Sequence, residues 1–93
     1  MAAQNLDDVR AEIDVIDRRI VELLAHRQRW VVEAGRLKAD AHAVRAPDRV
    51  EKVIEKVRTL AAQAGASPEV VESTYRAMIG AFIDLELTVH REG

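Results

Sequence analysis

Two cationic side chains in this sequence have a spacing that suits the binding of a small anion. Arg27 interrupts an aliphatic stripe between Leu23 and Val31, so its guanidinium lies on the core-facing side of a helical pattern. An arginine in such a place needs an anionic partner. Lys38 follows eleven residues later, about three helical turns, and points from nearly the same face. The pair predicts a clamp for the two ends of one small ligand.

Arg10 and Arg49 extend this set of cations. Arg10 lies seventeen residues before Arg27, a rotation of about 100°, so we expect it to reach that pocket only from a second subunit. Arg49 lies near the start of a later helix, where backbone N–H groups also favour anions. A site that contains Arg10, Arg27, Lys38 and Arg49 suits a dianion. The alternative is that some are solvated surface cations, because the chain contains 14 lysines and arginines.

An acidic residue, Glu86, continues the apolar face formed by Ile79, Phe82 and Ile83. Burial disfavours a charged carboxylate, and a protonated Glu86 would serve as a hydrogen-bond donor. The alternative is a helical contact with His90, four residues later, at the solvent boundary.

Three helices are expected to position these groups, and their pattern predicts an all-α fold with a long, a medium and a long helix. Apolar residues recur at three- and four-residue steps from residue 6 to about 40. Residues 39–47 are expected to form a loop. A second helix is predicted over about 47–64, ending before Gly65, and a third from residue 68 to about 91, after the N-cap residue Ser67.

The length of the first helix predicts an intertwined helical homodimer. At 93 residues the chain is expected to form a single domain, residues 1–93, whose own core would be marginal. A helix of about 35 residues is roughly 50 Å long, whereas a compact chain of this size is about 30 Å across. One end of that helix must therefore pack on another subunit.

Composition excludes several other classes of protein. The chain has no cysteine, and its three histidines, His26, His42 and His90, lack the spacing of a metal site, so we expect neither a metal nor a cofactor. A net charge of −2 argues against nucleic-acid binding. The N-terminal residues lack the basic and apolar segments of a secretion signal, and no apolar stretch is as long as a membrane span. We expect a cytoplasmic protein.

The segments that carry these residues resemble the all-helical chorismate mutases and their relatives, the isochorismate pyruvate lyases of salicylate formation. The resemblance runs from residue 6 to about 91 and depends mainly on residues 7–17, 23–27, 35–38 and 44–50. The spacing of Arg10, Arg27 and Lys38 matches the family pattern without a gap. The resemblance implies a homodimer with two equivalent sites, each completed by the other subunit's Arg10.

The resemblance also implies a role for each candidate residue. Arg27 and the Arg10 of the other subunit would bind the two carboxylates of the substrate, and Lys38 would donate to its ether oxygen. Arg49 matches a further binding arginine. Glu86 aligns where many members have a glutamine, and others a glutamate, that contacts the same oxygen.

Two positions depart from the pattern of many dedicated mutases. Val50 stands where those enzymes have a glutamate that binds the substrate hydroxyl, and Ala46 stands where they have an aspartate. Apolar residues at these places look more like the lyase branch. We predict a chorismate mutase that converts chorismate to prephenate, with an isochorismate pyruvate lyase as the alternative. A non-catalytic helical dimer is the third hypothesis.

Overall fold

A computed structural model describes residues 4–92 of the chain, the side chain of residue 92 excepted. Four helices follow one another: α1 over Leu6–Leu37, α2 over Ala41–Arg45, α3 over Pro47–Ala64 and α4 over Pro68–Glu92. No strand occurs within these residues. The prediction of an all-α chain with a long, a medium and a long helix is confirmed, and a short helix is added to it. Part of the expectation about a secretion signal rests on residues 1–3, which lie outside the described residues.

Contacts divide the chain into two compact units, Met1–Trp30 and Val31–Gly93. Helix α1 contributes its first 25 residues to the first unit and its last seven to the second.

The first unit consists of the α1 residues up to Trp30 and has no buried side chain among residues 4–30. Its start is capped by Asn5, whose Oδ1 accepts a hydrogen bond from the Asp8 backbone N–H at 2.9 Å. The apolar side chains that recur along one face are between 48% and 59% exposed. The members of this apolar stripe with that exposure are Leu6, Ile13, Ile16, Ile20 and Leu23.

The second unit has a small core of its own. Helices α3 and α4 pack against each other, and α2 packs on α4. Apolar residues at helical spacing on α3 supply most of the buried side chains because they lie on the face of α3 that packs against α4. The buried apolar residues are Val44, Ile54, Val57, Ala61 and Ile79.

The expectation of a loop over residues 39–47 is wrong in its centre, where α2 forms one short helix. Asp40 has an extended backbone and its side chain accepts from the Ala43 N–H at 2.9 Å, which caps the new helix. Val44 is 2% exposed, so packing on α4 stabilises the turn. Because Asp40 serves as this cap, α1 ends at Leu37 and does not continue to residue 40.

The connection from α2 to α3 passes through Ala46 in a left-handed conformation, with φ 35° and ψ 62°. A residue with a Cβ adopts this conformation at a cost of about 1 kcal/mol or more. Its backbone N–H bonds to the His42 carbonyl oxygen at 2.9 Å, and Pro47 then begins α3. A side chain at position 46 is therefore held at a sharp corner.

The predicted limits of the last two helices are confirmed. Gly65 ends α3 with φ 79°, a left-handed cap that glycine adopts without strain. Ser67 accepts at its Oγ from the Val70 N–H at 3.2 Å and so caps α4, with Pro68 in the first helical position. No helix within residues 4–92 is both long and apolar enough to cross a membrane.

An exposed network of ion pairs joins α3 to α4. The Arg76 guanidinium donates to both carboxylate oxygens of Glu51, at 2.9 and 3.0 Å, and to Glu72 at 2.8 Å. Arg58 also donates to Glu72, at 2.8 Å. Hydrogen bonds from Arg76 are the main cause that lowers the pKa of Glu51, and those from Arg76 and then Arg58 lower the pKa of Glu72.

Candidate active site

The second unit joins two of the predicted site residues directly. The Lys38 Nζ donates a hydrogen bond to the Glu86 Oε2 at 2.8 Å, across 48 positions of sequence. The Glu86 side chain is 9% exposed, whereas that of Lys38 is 28% exposed. The pair thus has one buried member, the carboxylate, and one that remains open to solvent or a ligand.

Glu86 is buried because the end of α1 passes close to it. Gly35 on α1 is itself buried, and a Cβ built there would lie 3.4 Å from the Glu86 Cγ. That distance is an ordinary van der Waals contact, so the glycine places backbone against the methylene groups of the glutamate. The carboxylate is left facing Lys38, three residues beyond Gly35.

A third contact holds the backbone of Lys38. The His90 Nε2 lies 3.0 Å from the Lys38 carbonyl oxygen, and both groups are partly buried. Glu86 and His90 are four residues apart on α4 and so lie on one face of it. The ammonium and the carbonyl of one lysine are therefore both bound by α4.

This geometry suits stabilisation of negative charge on a bound molecule. A lysine ammonium has three N–H groups, of which Glu86 accepts one. The other two are open to a ligand in the part of the chain that the structure describes. An ammonium held in place before the ligand arrives can stabilise charge that develops on an oxygen without first being oriented.

Arg49 and Val50 lie at the start of α3, in the same unit. Arg49 is exposed and Val50 is half-buried. Within residues 4–92, neither forms a hydrogen bond or ion pair with Lys38 or Glu86.

The other two predicted residues, Arg10 and Arg27, belong to the first unit. Arg10 is exposed, whereas Arg27 is half-buried on the α1 face that carries the apolar stripe. The half-burial of Arg27 agrees with the sequence pattern, which put a guanidinium among aliphatic side chains.

Burial of Glu86 was one of two alternatives predicted from the sequence, and it is confirmed. Its hydrogen-bond partner is Lys38 and not His90, as the other alternative had it. His90, to which no chemistry was assigned from the sequence, also lies near the site, because its Nε2 contacts the Lys38 carbonyl oxygen. The available signal was the shared face of Glu86 and His90, which indicates that both can contact one neighbouring segment.

Comparison with known proteins identifies the family. The model of the family described as chorismate mutase type II matches residues 9–87, which include all six predicted site residues. The chain belongs to this family.

The chain matches three curated relatives and covers a different share of each. An isochorismate pyruvate lyase of Pseudomonas aeruginosa is 32% identical over 87 residues, which cover 94% of this chain and 86% of the relative. The T-protein of Haemophilus influenzae is 33% identical over 72 residues, 76% of this chain but 19% of the relative. A bifunctional chorismate mutase/prephenate dehydratase of Aquifex aeolicus is 32% identical over 87 residues, 89% of this chain and 24% of the relative.

Proposed function

We propose that this chain is a chorismate mutase that converts chorismate to prephenate in two composite sites of a homodimer. The observation that carries the proposal is the Lys38–Glu86 pair, in which a partly open ammonium is held at 2.8 Å by a buried carboxylate. Membership of the chorismate mutase type II family supports the substrate class.

The homodimer part of the proposal rests on the exposed stripe of the first unit. A continuous stripe of five large apolar side chains, each about half exposed, is typical of a surface that packs against a partner. A second copy of the chain offers an equally apolar stripe, since symmetric dimers use the same patch twice. The same arrangement would bring the Arg10 of one subunit to the site of the other, as the family resemblance implies.

The reaction requires two things of the site, and the proposed residues supply both. Breaking the ether C–O bond while a new C–C bond forms requires the enolpyruvyl group to fold over the ring. Arg27 and the partner's Arg10 would bind the two carboxylates and hold this fold, which removes orientational freedom before reaction. Arg49 would add a further binding cation. Lys38 would then donate to the ether oxygen as negative charge develops on it.

Glu86 has two possible roles that experiment can separate. As a protonated acid it would donate to the ether oxygen beside Lys38. As a carboxylate it would orient the Lys38 ammonium, which donates a hydrogen bond to it at 2.8 Å. Retention of kcat in Glu86→Gln, whose side-chain amide can donate a hydrogen bond but has no charge, would support the donor role. Loss of kcat in Glu86→Gln would support the orienting role.

A second function, isochorismate pyruvate lyase, is favoured by a specific observation. Ala46 and Val50 are apolar at the corner and first turn of α3. The Pseudomonas relative, of which the matched segment covers 86%, is such a lyase. In that reaction the same kind of ether bond breaks, a ring hydrogen passes to the enolpyruvyl methylene, and salicylate and pyruvate result. The same four groups, Arg10, Arg27, Lys38 and Glu86, would serve.

Turnover of the purified protein on chorismate and, separately, on isochorismate tests the proposal. Faster consumption of chorismate with formation of prephenate would support the mutase, and dominant salicylate and pyruvate would support the lyase. Inactivity on both substrates would reject both enzymatic functions and support the third hypothesis, a non-catalytic helical dimer.

A lysine variant tests the role of the pair. Lys38→Met removes the ammonium while keeping the length of the side chain, and should lower kcat by about 10²- to 10³-fold, as expected for one lost electrostatic donor. Lys52→Met, at an exposed position of α3, is the matched control and should leave kcat unchanged. Equal effects of the two changes would contradict the assignment.

A further inference from the structure

We propose that His90 is a positioning residue for Lys38, a role that rests on the proposed function of Lys38 as the donor to the ether oxygen. The observation is the 3.0 Å contact between the His90 Nε2 and the Lys38 carbonyl oxygen. A carbonyl oxygen can only accept a hydrogen bond, so Nε2 carries the proton in this contact.

The backbone at Lys38 needs such a partner because it lies between helices. Helix α1 ends one residue earlier, at Leu37, and α2 begins at Ala41. The last carbonyl groups of a helix accept no hydrogen bond from an N–H of the same helix. These carbonyls, and those just beyond the helix end, therefore need another donor. His90 supplies that donor from α4.

Two contacts from one helix then determine where the ammonium lies. Glu86 binds the Nζ at 2.8 Å, and His90 binds the main-chain carbonyl of the same residue. A lysine whose ammonium alone is hydrogen-bonded can still move when its backbone moves. A second hydrogen bond to the main-chain carbonyl restrains the backbone as well. Because a misplacement of about 1 Å at a reacting group costs up to about 10²-fold in rate, the backbone contact bears on catalysis.

The position of His90 limits how much its packing can contribute to the stability of the fold. The residue is only half-buried and lies near the end of α4, where lost packing has little effect on stability. Removal of the imidazole should therefore change the site more than it changes the fold.

A pair of substitutions separates the hydrogen bond from the bulk of the side chain. His90→Leu keeps an apolar body but removes the donor, and should lower kcat on the preferred substrate about tenfold with KM changed less than twofold. His90→Gln restores an N–H at similar reach and should recover most of the lost kcat. His42→Leu, at an exposed histidine on α2, is the control and should leave both constants unchanged.

A measurement without substrate tests the contact itself. In protein labelled with ¹³C at the lysine carbonyl, the Lys38 resonance should shift in His90→Leu and keep its wild-type position in His90→Gln. An unshifted resonance in His90→Leu would overturn the contact, and a shifted resonance with unchanged kcat would overturn the positioning role. Inactivity of the unsubstituted protein on both chorismate and isochorismate would instead reject the proposed function, and the carbonyl resonance would still decide the contact.

Discussion

The two units of this chain differ in how far their apolar side chains are buried. Residues 31–93 bury Ile54, Val57 and Ile79 between helices of the same chain. Residues 4–30 bury none, although Ile16 and Ile20 recur on one face at the spacing of a core. The second unit therefore has a core of its own, whereas the apolar stripe of the first unit is the surface that the proposed homodimer would cover. The site chemistry follows the same division, because the Lys38–Glu86 pair is complete in one chain and the proposed Arg10 contribution is not.

The largest effect should come from charges placed in the exposed stripe. The double change Ile16→Glu and Ile20→Glu removes four side chains from a homodimer, two in each subunit. If burial of each contributes about 2 kcal/mol, the dissociation constant should rise by about 10⁶-fold. Sedimentation velocity should show monomers, with turnover lost. Val15→Glu is a matched control on α1, since Val15 is 64% exposed and lies off the stripe. A double variant that remains dimeric would contradict the proposal that the apolar stripe forms the dimer interface.

A cavity in the second unit should act on folding and not on association. Ile54→Ala at a 4%-exposed position should lower the free energy of unfolding by about 2–5 kcal/mol. Leu60→Ala, at a 49%-exposed position of the same helix, should cost less. Urea unfolding at fixed protein concentration measures both. Equal costs at the two positions would mean that Leu60 is buried in an assembly.

A smaller effect is expected where α1 meets α4. Gly35→Ala should raise the free energy of unfolding by up to about 1 kcal/mol, because alanine favours a helix over glycine. The added Cβ would lie 3.4 Å from Glu86 Cγ, which leaves room for it. Gly35→Leu does not fit there and should displace Glu86, lowering kcat. If Gly35→Ala itself lowers kcat, the contact with Glu86 is tighter than this distance indicates.

The smallest effect should come from the exposed ion pairs of the second unit. Hydrogen bonds donated by Arg76 lower the pKa of Glu51 and Glu72 below 4.5 in the folded chain, so the ion pairs stabilise the fold above that pH. This stabilisation is lost as pH falls through the lowered values. The urea midpoint should therefore fall between pH 5 and 3, and less steeply in Glu72→Gln. Glu55→Gln, at an exposed position of α3, should follow the unsubstituted protein.

Most of the fold could be predicted from the sequence because its signals are local. Each signal involves residues close together in the sequence: the apolar spacing that begins at Leu6, the N-cap at Ser67 with Pro68, and the C-cap at Gly65. Helix α2 was missed because five residues carry too little periodicity, and its stability comes from the Asp40 cap and the burial of Val44 against α4.

Arg27 and Glu86 can be recognised as site candidates from the sequence, since a charged residue on an apolar helical face is visible in the spacing alone. The pairing of Glu86 with Lys38 depends on tertiary packing. The hydrogen bond from Lys38 to Glu86 spans 48 positions, and that from His90 to the Lys38 carbonyl spans 52. No local pattern specifies contacts over such separations. They arise because Gly35 lets the end of α1 approach α4 closely, which brings one face of α4 against Lys38.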